Sequence, residues 1–586
     1  MCGIIGCVSD TDVVEVLLEG LRNMEYRGYD SAGFCVHDGE NIRVLKGVGR
    51  IDEIVKNLHL SVFSGKIGLA HTRWATHGGV TQENAHPHLS CDGKVAVVHN
   101  GIIENYQTIR KELESKGHRF KSTTDTEVIP HLIEENLKSC RNHRKALLDA
   151  ANMLEGSYAF LVLFKDLCDK IYGVRKDAPL IIGLSESGNF LASDVLSFLK
   201  HTNKAVFLGN LEVAEVRKNG YNIWTFKGEE VTRNISTLMW EYMTTAKKEF
   251  THYTLKEIHE QRETILLAFD QDLEKVDRFC LALQGADRIY IIGAGTSYHA
   301  GLVAKHLFVN LARLPVEVIL ASEFEDYATL IDDGTLILAI SQSGETADVL
   351  SAVNLAKKRG ASVLSIVNTP TSTLTRESEQ TLYLNCGPEV GVAATKTFTA
   401  QLAVIYSILA RLTNLTIDSK QIAKAVNDVF SVERQIAYLA QAFLTSKDCY
   451  FIGRGINYPI ALEGALKLKE LAYIHAEGLA AGELKHGALA LISEGVPVIA
   501  LNPRDKTYRN TLSNVAEIKA RGGRVIGISE ASNSLYDYHI EIPSVKEIFY
   551  PLVEIIPLQM FAYYSALERG QNPDYPRNLA KSVTVK

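Results

Sequence analysis

The sequence carries an internal repeat. Ile292-Gly293-Ala294-Gly295-Thr296-Ser297-Tyr298 lines up with Ile452-Gly453-Arg454-Gly455-Ile456-Asn457-Tyr458, a period of about 160 residues. Downstream, Leu336–Ile340 lines up with Val496–Leu501, and Lys358-Arg359-Gly360 with Ala520-Arg521-Gly522. Each copy alternates apolar strand, glycine-rich turn and helix, the pattern of a doubly wound α/β domain around a parallel sheet. The copies span 286–425 and 440–573.

A chain of 586 residues exceeds a single core, and the rest reads differently. Residues 2–237 hold short β-rich runs, such as Lys66–Ala70, Lys94–His99, Tyr158–Phe164 and Lys170–Val174, with helical patterns at Val13–Met24 and Glu127–Leu137. Strands and helices that do not alternate strictly predict an α+β domain of packed sheets. A helical pattern over Met239–Ala268 opens a connector at 238–285. On pattern alone the tail, 574–586, is a loop or a dispensable terminus.

Composition excludes several functions. The net charge of -7 comes from interspersed acids and bases, which predicts neither a nucleic-acid groove nor a polybasic membrane anchor. No run of 18 apolar residues predicts a membrane span, and Asp10 and Asp12 so close to the start argue against a signal peptide. The nine cysteines, at 2, 7, 35, 91, 140, 168, 280, 386 and 449, form no CxxC pair and no metal-ligand spacing, which suits reduced thiols in a cytoplasmic protein.

Three polar segments accompany Cys2. His71-Thr72-Arg73-Trp74-Ala75-Thr76-His77-Gly78 follows a strand. His99-Asn100-Gly101 ends one, where an Asn amide and a Gly N–H could hold an oxyanion, or where Asn-Gly simply makes a tight turn. Ser122-Thr123-Thr124-Asp125-Thr126-Glu127 places Asp125 near a helix start, as an ammonium ligand or a cap. Cys2 alone reads as a small apolar residue; with Met1 removed, its free α-amine could act as base toward its own thiol.

In the first repeat, Ser341-Gln342-Ser343-Gly344-Glu345-Thr346 joins an apolar strand to a helix, a phosphate cradle of hydroxyls, N–H groups and helix dipole. It lacks the Walker lysine, and Gly293-x-Gly295 lacks the third glycine of a dinucleotide turn, which disfavours nucleotides. In the second repeat Glu463, Lys467 and Glu470 share one face of a mostly apolar helix, which suits proton transfer between adjacent carbons.

Cys2–Gly6, Glu25–Gly33, His71–Gly78, Asn84–His88 and His99–Asn105 together resemble the class II, N-terminal nucleophile glutamine amidotransferases. The Tyr26-Arg27-Gly28-Tyr29-Asp30-Ser31 run is similar to their hexosamine-synthesising branch. The repeats resemble tandem SIS (sugar isomerase) domains, and the full order with the tail Gln571–Val585 resembles the glutamine:fructose-6-phosphate aminotransferase (isomerizing) family. The resemblance implies an N-terminal nucleophile hydrolase fold, with stacked sheets between helices, ahead of two doubly wound SIS domains.

It also implies Cys2 as nucleophile, Asn100 and Gly101 as oxyanion hole, Arg73 and Asp125 as ligands of L-glutamine, and Thr76, His77 and His86 lining that pocket, with Trp74 gating ammonia. Ammonia would pass internally to D-fructose 6-phosphate, held by Thr296, Ser297, Ser341, Gln342, Ser343, Thr346 and Val392. Lys581 would form a Schiff base with the ketone, Glu470 would move a proton between C1 and C2 with Lys467 assisting, and His486 of a neighbouring subunit would open the ring. A homodimer with no metal, nucleotide or organic cofactor is implied. Ala294 and Ala394 depart from the family pattern, and the latter removes one hydroxyl contact to the sugar.

Overall fold

The structure, a computed structural model, describes residues 2–56, 63–238, 247, 249–370 and 372–584. The chain divides into two compact units, Met1–Thr244 with Ser582–Lys586, and Thr245–Lys581.

The first unit stacks an eight-stranded and a seven-stranded sheet. Gly3–Ser9 is central in the first, antiparallel to Ile67–Arg73 on one side and Gly188–Ala192 on the other. Six of its seven residues are buried, so it lacks the polar/apolar alternation of a half-exposed strand. One face packs on the second sheet through Ile4, Val8, Leu69, Val98, Leu161 and Ile171. The helix Val14–Met24 buries Leu17, Leu18 and Leu21 at the usual helical spacing. Beyond the second sheet, Ile109, Leu113, Ile129, Leu132, Leu147 and Ala150 from three helices cover Val97, Phe160 and Val162. The result is two sheets between two helical layers, as expected for this part of the chain.

The second unit contains two five-stranded, wholly parallel sheets with one topology. Their orders are Val316–Leu320, Arg288–Gly293, Thr335–Ser341, Ser362–Val367, Gln380–Tyr383 and His475–Ala480, Asp448–Gly453, Pro497–Leu501, Arg524–Ser529, Tyr538–Glu541. The repeat seen in the sequence is thus a repeat of strand order. Its glycines are fixed by close approach: a Cβ on Gly293 would lie 2.9 Å from the Ser297 carbonyl carbon, and one on Gly453 would lie 2.4 Å from the Asn457 oxygen. In each copy the chain turns back over the strand end with no space for a side chain. Helices Tyr253–Phe269, Lys396–Thr413, Tyr458–Ala472 and Tyr550–Glu568 share one continuous core that joins both copies. No helix among the described residues is long and apolar enough to cross a membrane.

Several expectations need correction. Asn100-Gly101 does not end its strand: Val95–Ile103 pairs without interruption along Gly156–Phe164, and Gly101 lies opposite Tyr158. Of the Met239–Ala268 pattern, residues 239–246 and 248 lie outside the described ones, and the helix runs Tyr253–Phe269, followed by Leu273–Gly285 capped by the Asp272 carboxylate. The tail is not a loose end, because Asp574 is buried and accepts bonds from the Tyr253 and Thr254 N–H groups. Cys91, which spacing left isolated, lies beside His118, His131 and Glu134 once the chain folds.

Candidate active sites

In the first unit the pairing of Gly3 with Thr72 brings Cys2 level with Arg73 on the neighbouring strand. Cys2 is half-buried, its thiol donating to the Trp74 carbonyl at 3.5 Å and accepting the Trp74 N–H at 3.3 Å. Burial pushes the thiol up, while the Trp74 N–H and the Arg73 charge pull it down and Asp125 raises it. Cys2, Arg73 and Asp125 therefore lie within reach of one another's charge.

Arg73 is buried and organises its own loop, donating to the carbonyls of His77 at 2.6 Å, Gly78 at 3.1 Å and Gly79 at 3.0 Å. One Asp125 oxygen accepts the Ile103 N–H at 2.8 Å and the other faces the Thr126 hydroxyl at 3.5 Å, so the carboxylate keeps lone pairs for a cation. The buried Asn100 amide oxygen has no hydrogen-bond partner among the described residues. Gly101 takes φ of +120° within its strand, and a Cβ there would meet the Ser157 carbonyl oxygen at 2.1 Å.

Thr76 is exposed; His77 is half-buried, its ring edge on Tyr106 and its Nδ1 without a partner among the described residues. His86 is engaged within the fold. Its ring stacks on His71 at 3.8 Å, its Nδ1 accepts the His99 N–H at 3.2 Å, and its Nε2 faces Thr126 at 3.4 Å. Burial holds His86 and His71 well below the usual histidine range, so both are neutral.

Three positioning residues were not singled out in the sequence. Asp30 accepts the Ala75 N–H at 2.9 Å, and Tyr29 stands edge-on to Trp74 at 5.4 Å, so the Glu25–Gly33 segment braces the loop after Arg73. Asn84 donates to the Gly79 carbonyl and accepts the Thr123 N–H, both at 2.9 Å, tying that loop to the Asp125 segment. All three sit inside the Glu25–Gly33 and Asn84–His88 motifs, their only signal in the sequence.

In the second unit, strands Arg288–Gly293 and Thr335–Ser341 are neighbours, with Val316–Leu320 on the far side of the first. The order of connection therefore reverses between them, making this the switch point where parallel α/β sheets place ligands. The turns carrying Thr296-Ser297 and Ser341–Thr346 emerge side by side there. Within the second turn the Ser341 hydroxyl accepts the Gly344 N–H at 3.0 Å and the Ser343 hydroxyl accepts the Glu345 N–H at 3.1 Å. The Gln342 carbonyl accepts from Asn368 and Thr369. Thr346 starts the helix Ala347–Lys358 without a side-chain cap, so the first N–H groups remain for an anion. The buried Ser297 hydroxyl accepts from Gln401 Nε2 at 2.9 Å.

Thr296 reaches the other repeat: its hydroxyl donates to Glu463 Oε1 at 2.9 Å and lies 3.1 Å from Lys467 Nζ. Lys467, fully buried, is 3.3 Å from Glu463 and 2.5 Å from Glu470. Burial pulls the ammonium down, but the two carboxylates push it above its usual value. Burial likewise raises Glu463, yet Lys467 and the bond from His299 Nδ1 at 2.7 Å hold it below its ordinary range. Lys467 is thus a fixed cation, while Glu470 stays partly exposed.

Lys581 Nζ donates to the Glu389 carboxylate and, at 2.8 Å, to the Gly391 carbonyl. Glu389 also accepts from the Thr395 N–H at 2.9 Å and the Thr397 hydroxyl at 2.8 Å. Glu257 accepts the Val390 N–H at 2.5 Å, and burial with the nearby Glu389 charge pushes it up to about 7. The Val392 N–H is anchored to the Asp574 carbonyl at 3.2 Å. His486 lies on the short helix Ala481–His486 and is exposed.

A SIS domain family matches residues 282–411 and 442–569, and a glutamine amidotransferase domain family matches 71–200. A glutamine–fructose-6-phosphate aminotransferase (isomerizing) from Thermococcus kodakarensis is 46% identical over 602 residues, all of both chains. The chain belongs to the glutamine–fructose-6-phosphate aminotransferase family. A relative of the same name from Pyrococcus horikoshii is also 46% identical, over 598 residues and the whole of both chains. The structure of the C-terminal domain of the Francisella tularensis glucosamine-fructose-6-phosphate aminotransferase covers 56% of this chain and all of its own, at 35% identity and a TM-score of 0.53. The second unit accordingly has the SIS fold of the aminotransferase family, in two copies.

Proposed function

We propose that the chain converts L-glutamine and D-fructose 6-phosphate to L-glutamate and D-glucosamine 6-phosphate. The observation that carries this reading is the joint occurrence, in one chain, of a Cys2–Arg73–Asp125 constellation and a Thr296 turn bonded to the Glu463–Lys467–Glu470 helix. In the first unit Asp125 and Arg73 hold the ammonium and carboxylate of glutamine. Arg73 already spends several donors on its loop, so it acts through both charge and loop shape.

After loss of Met1, which lies outside the described residues, the Cys2 α-amine takes the thiol proton and Sγ adds to the side-chain carbonyl. The Asn100 amide and Gly101 N–H stabilise the oxyanion, ammonia departs, and water cleaves the thioester to glutamate. Thr76, His77 and His86 support the pocket; His86, with both nitrogens engaged inside the fold, positions rather than contacts substrate.

Ammonia passes internally to the sugar phosphate, with Trp74 as gate. Ser341, Gln342, Ser343, Thr346, Thr296, Ser297 and Val392 hold the phosphate and chain of the sugar. Lys581 forms an imine with the C2 ketone, ammonia replaces it, and Glu470 carries the proton between C1 and C2. Because Lys467 is held as a cation by two carboxylates, its help is electrostatic: it stabilises negative charge as the C1 proton leaves. His486, exposed in its own chain, opens the sugar ring of a partner in a cytoplasmic homodimer.

The deciding assay measures glucosamine 6-phosphate formation with glutamine and several candidate sugar phosphates, in wild type and Cys2→Ala. Wild type should form it from fructose 6-phosphate, and Cys2→Ala should lose glutamine-dependent synthesis while keeping some sugar isomerisation. Full glutamine-dependent synthesis by Cys2→Ala would overturn the nucleophile.

A further inference from the structure

Four side chains of the first unit, remote in sequence, direct one ligand atom each at a common point. Cys91 lies in the turn between strands His88–Leu89 and Val95–Ile103; His118 follows the helix Tyr106–Ser115; His131 and Glu134 are i and i+3 on the helix Val128–Cys140. Cys91 Sγ is 3.7 Å from His118 Nδ1 and 3.4 Å from His131 Nδ1. The two Nδ1 atoms are 3.3 Å apart, and Glu134 Oε2 is 3.3 Å from the first and 3.7 Å from the second. All four atoms lie within 4.8 Å of one another.

Five of the six spacings, 3.3–3.7 Å, are close to the edges of a coordination tetrahedron. With metal–nitrogen bonds of about 2.0–2.1 Å and a metal–sulfur bond of about 2.3 Å, its edges are about 3.3–3.6 Å. One outer contact fits as well. His118 Nε2 bonds Glu135 Oε2 at 3.1 Å, the carboxylate–histidine arrangement that leaves Nδ1 free for a metal, while Glu127 Oε1 lies 3.7 Å from His131 Nε2, beyond hydrogen-bond distance. The Arg119 N–H donates to Cys91 Sγ at 3.3 Å and the Cys91 N–H orients Glu134 Oε2 at 3.0 Å. A thiol, two imidazoles and a carboxylate that converge on one point hold together by sharing protons or by sharing a cation.

We propose that Cys91, His118, His131 and Glu134 form a structural zinc(II) site. One soft thiolate, two imidazoles and one carboxylate in a four-point set suit zinc rather than calcium or magnesium, which take oxygen ligands. The site would staple the turn at Cys91 to the helix Val128–Cys140. It would also close the chain between His118 and His131, the stretch that presents Asp125 and, through Asn84, braces the loop after Arg73. Its loss should therefore lower the thermal stability of the first unit and raise the KM for glutamine.

The full-length chain, without a polyhistidine tag, is loaded with zinc chloride, desalted in the presence of a weak chelator, and its zinc measured by mass spectrometry. One zinc per chain is expected in wild type, and none in Cys91→Ser/His131→Gln. A wild type that retains no zinc, or a double variant that retains as much, would overturn the site. Should the double variant fail to fold, cobalt(II) substitution of wild type decides. A tetrahedral d–d spectrum with a thiolate charge-transfer band that Cys91→Ser removes supports the site. Absence of that band, or its persistence in Cys91→Ser, refutes it.

Discussion

Lys581 and Glu389 form a buried ion pair, the lysine nearly and the glutamate wholly removed from solvent. The pair holds the end of the second unit against the segment that carries Val392. An amine that attacks a ketone must first lose its proton, and Glu389 is the group in contact with it.

Lys581→Arg should therefore separate chemistry from architecture. The guanidinium keeps a cation beside Glu389 but forms no imine, so glucosamine 6-phosphate formation should vanish while Tm stays close to wild type. Lys581→Ala should lose synthesis and lower Tm as well, because it leaves a buried carboxylate to its neutral donors, a change worth about 3–5 kcal/mol at most. Calorimetry and a synthesis assay on the two variants check this, and measurable synthesis by Lys581→Arg would refute the imine.

At Gly101 the strand tolerates no side chain. Gly101→Ala combines positive φ with a Cβ at 2.1 Å from the Ser157 oxygen. A loss of roughly 2–4 kcal/mol is expected from strain and overpacking together. In the protein that still folds, displaced oxyanion donors should cut glutamine hydrolysis by about 100-fold or more. Glutamate release should fall while isomerisation of the sugar phosphate persists.

Glu554, wholly buried on the helix Tyr550–Glu568, has no hydrogen-bond partner for either carboxylate oxygen among the described residues. Burial, with Asp505 and Glu530 adding to it, raises this carboxyl well above its usual range. The folded state then keeps a proton that the unfolded chain releases above about pH 4.3. Its contribution to stability is therefore intact below that pH and is lost as pH rises toward the folded value. Glu554→Gln carries no such proton, so its Tm relative to wild type should increase steadily from pH 5 to pH 8. A constant difference across that range would count against a protonated Glu554.

The exposed His486 gives a test of shared sites. Mixed subunits of Glu470→Gln and His486→Ala, each inactive alone, should recover about a quarter of wild-type synthesis after random reassociation, since each mixed dimer keeps one intact site of two. No recovery after verified exchange would place His486 in its own subunit's site.

What the sequence disclosed was local. Glu463, Lys467 and Glu470 fall together through helical periodicity alone, and the observed contacts among them follow from it. The repeat announced two parallel sheets because glycines at Gly293 and Gly453 are forced wherever strand turns sharply into helix. Asn100-Gly101 misled because a dipeptide cannot show its partner: only the pairing with Gly156–Phe164 reveals a strand that continues. Glu389 under Lys581, His299 on Glu463 and the cluster at Cys91 were invisible for the same reason. Each joins segments that tertiary folding alone brings together, and no spacing rule encodes them.

The bond from Thr296 to Glu463 and Lys467 crosses from one repeat to the other. A duplicated domain ordinarily leaves its bearer free to lose one copy. In the proposed reaction the second copy furnishes the proton-carrying helix and the first the phosphate turn, so the twins act as halves of one instrument. Deleting either copy would then remove the reaction altogether rather than reduce it, with redundancy exchanged for division of labour.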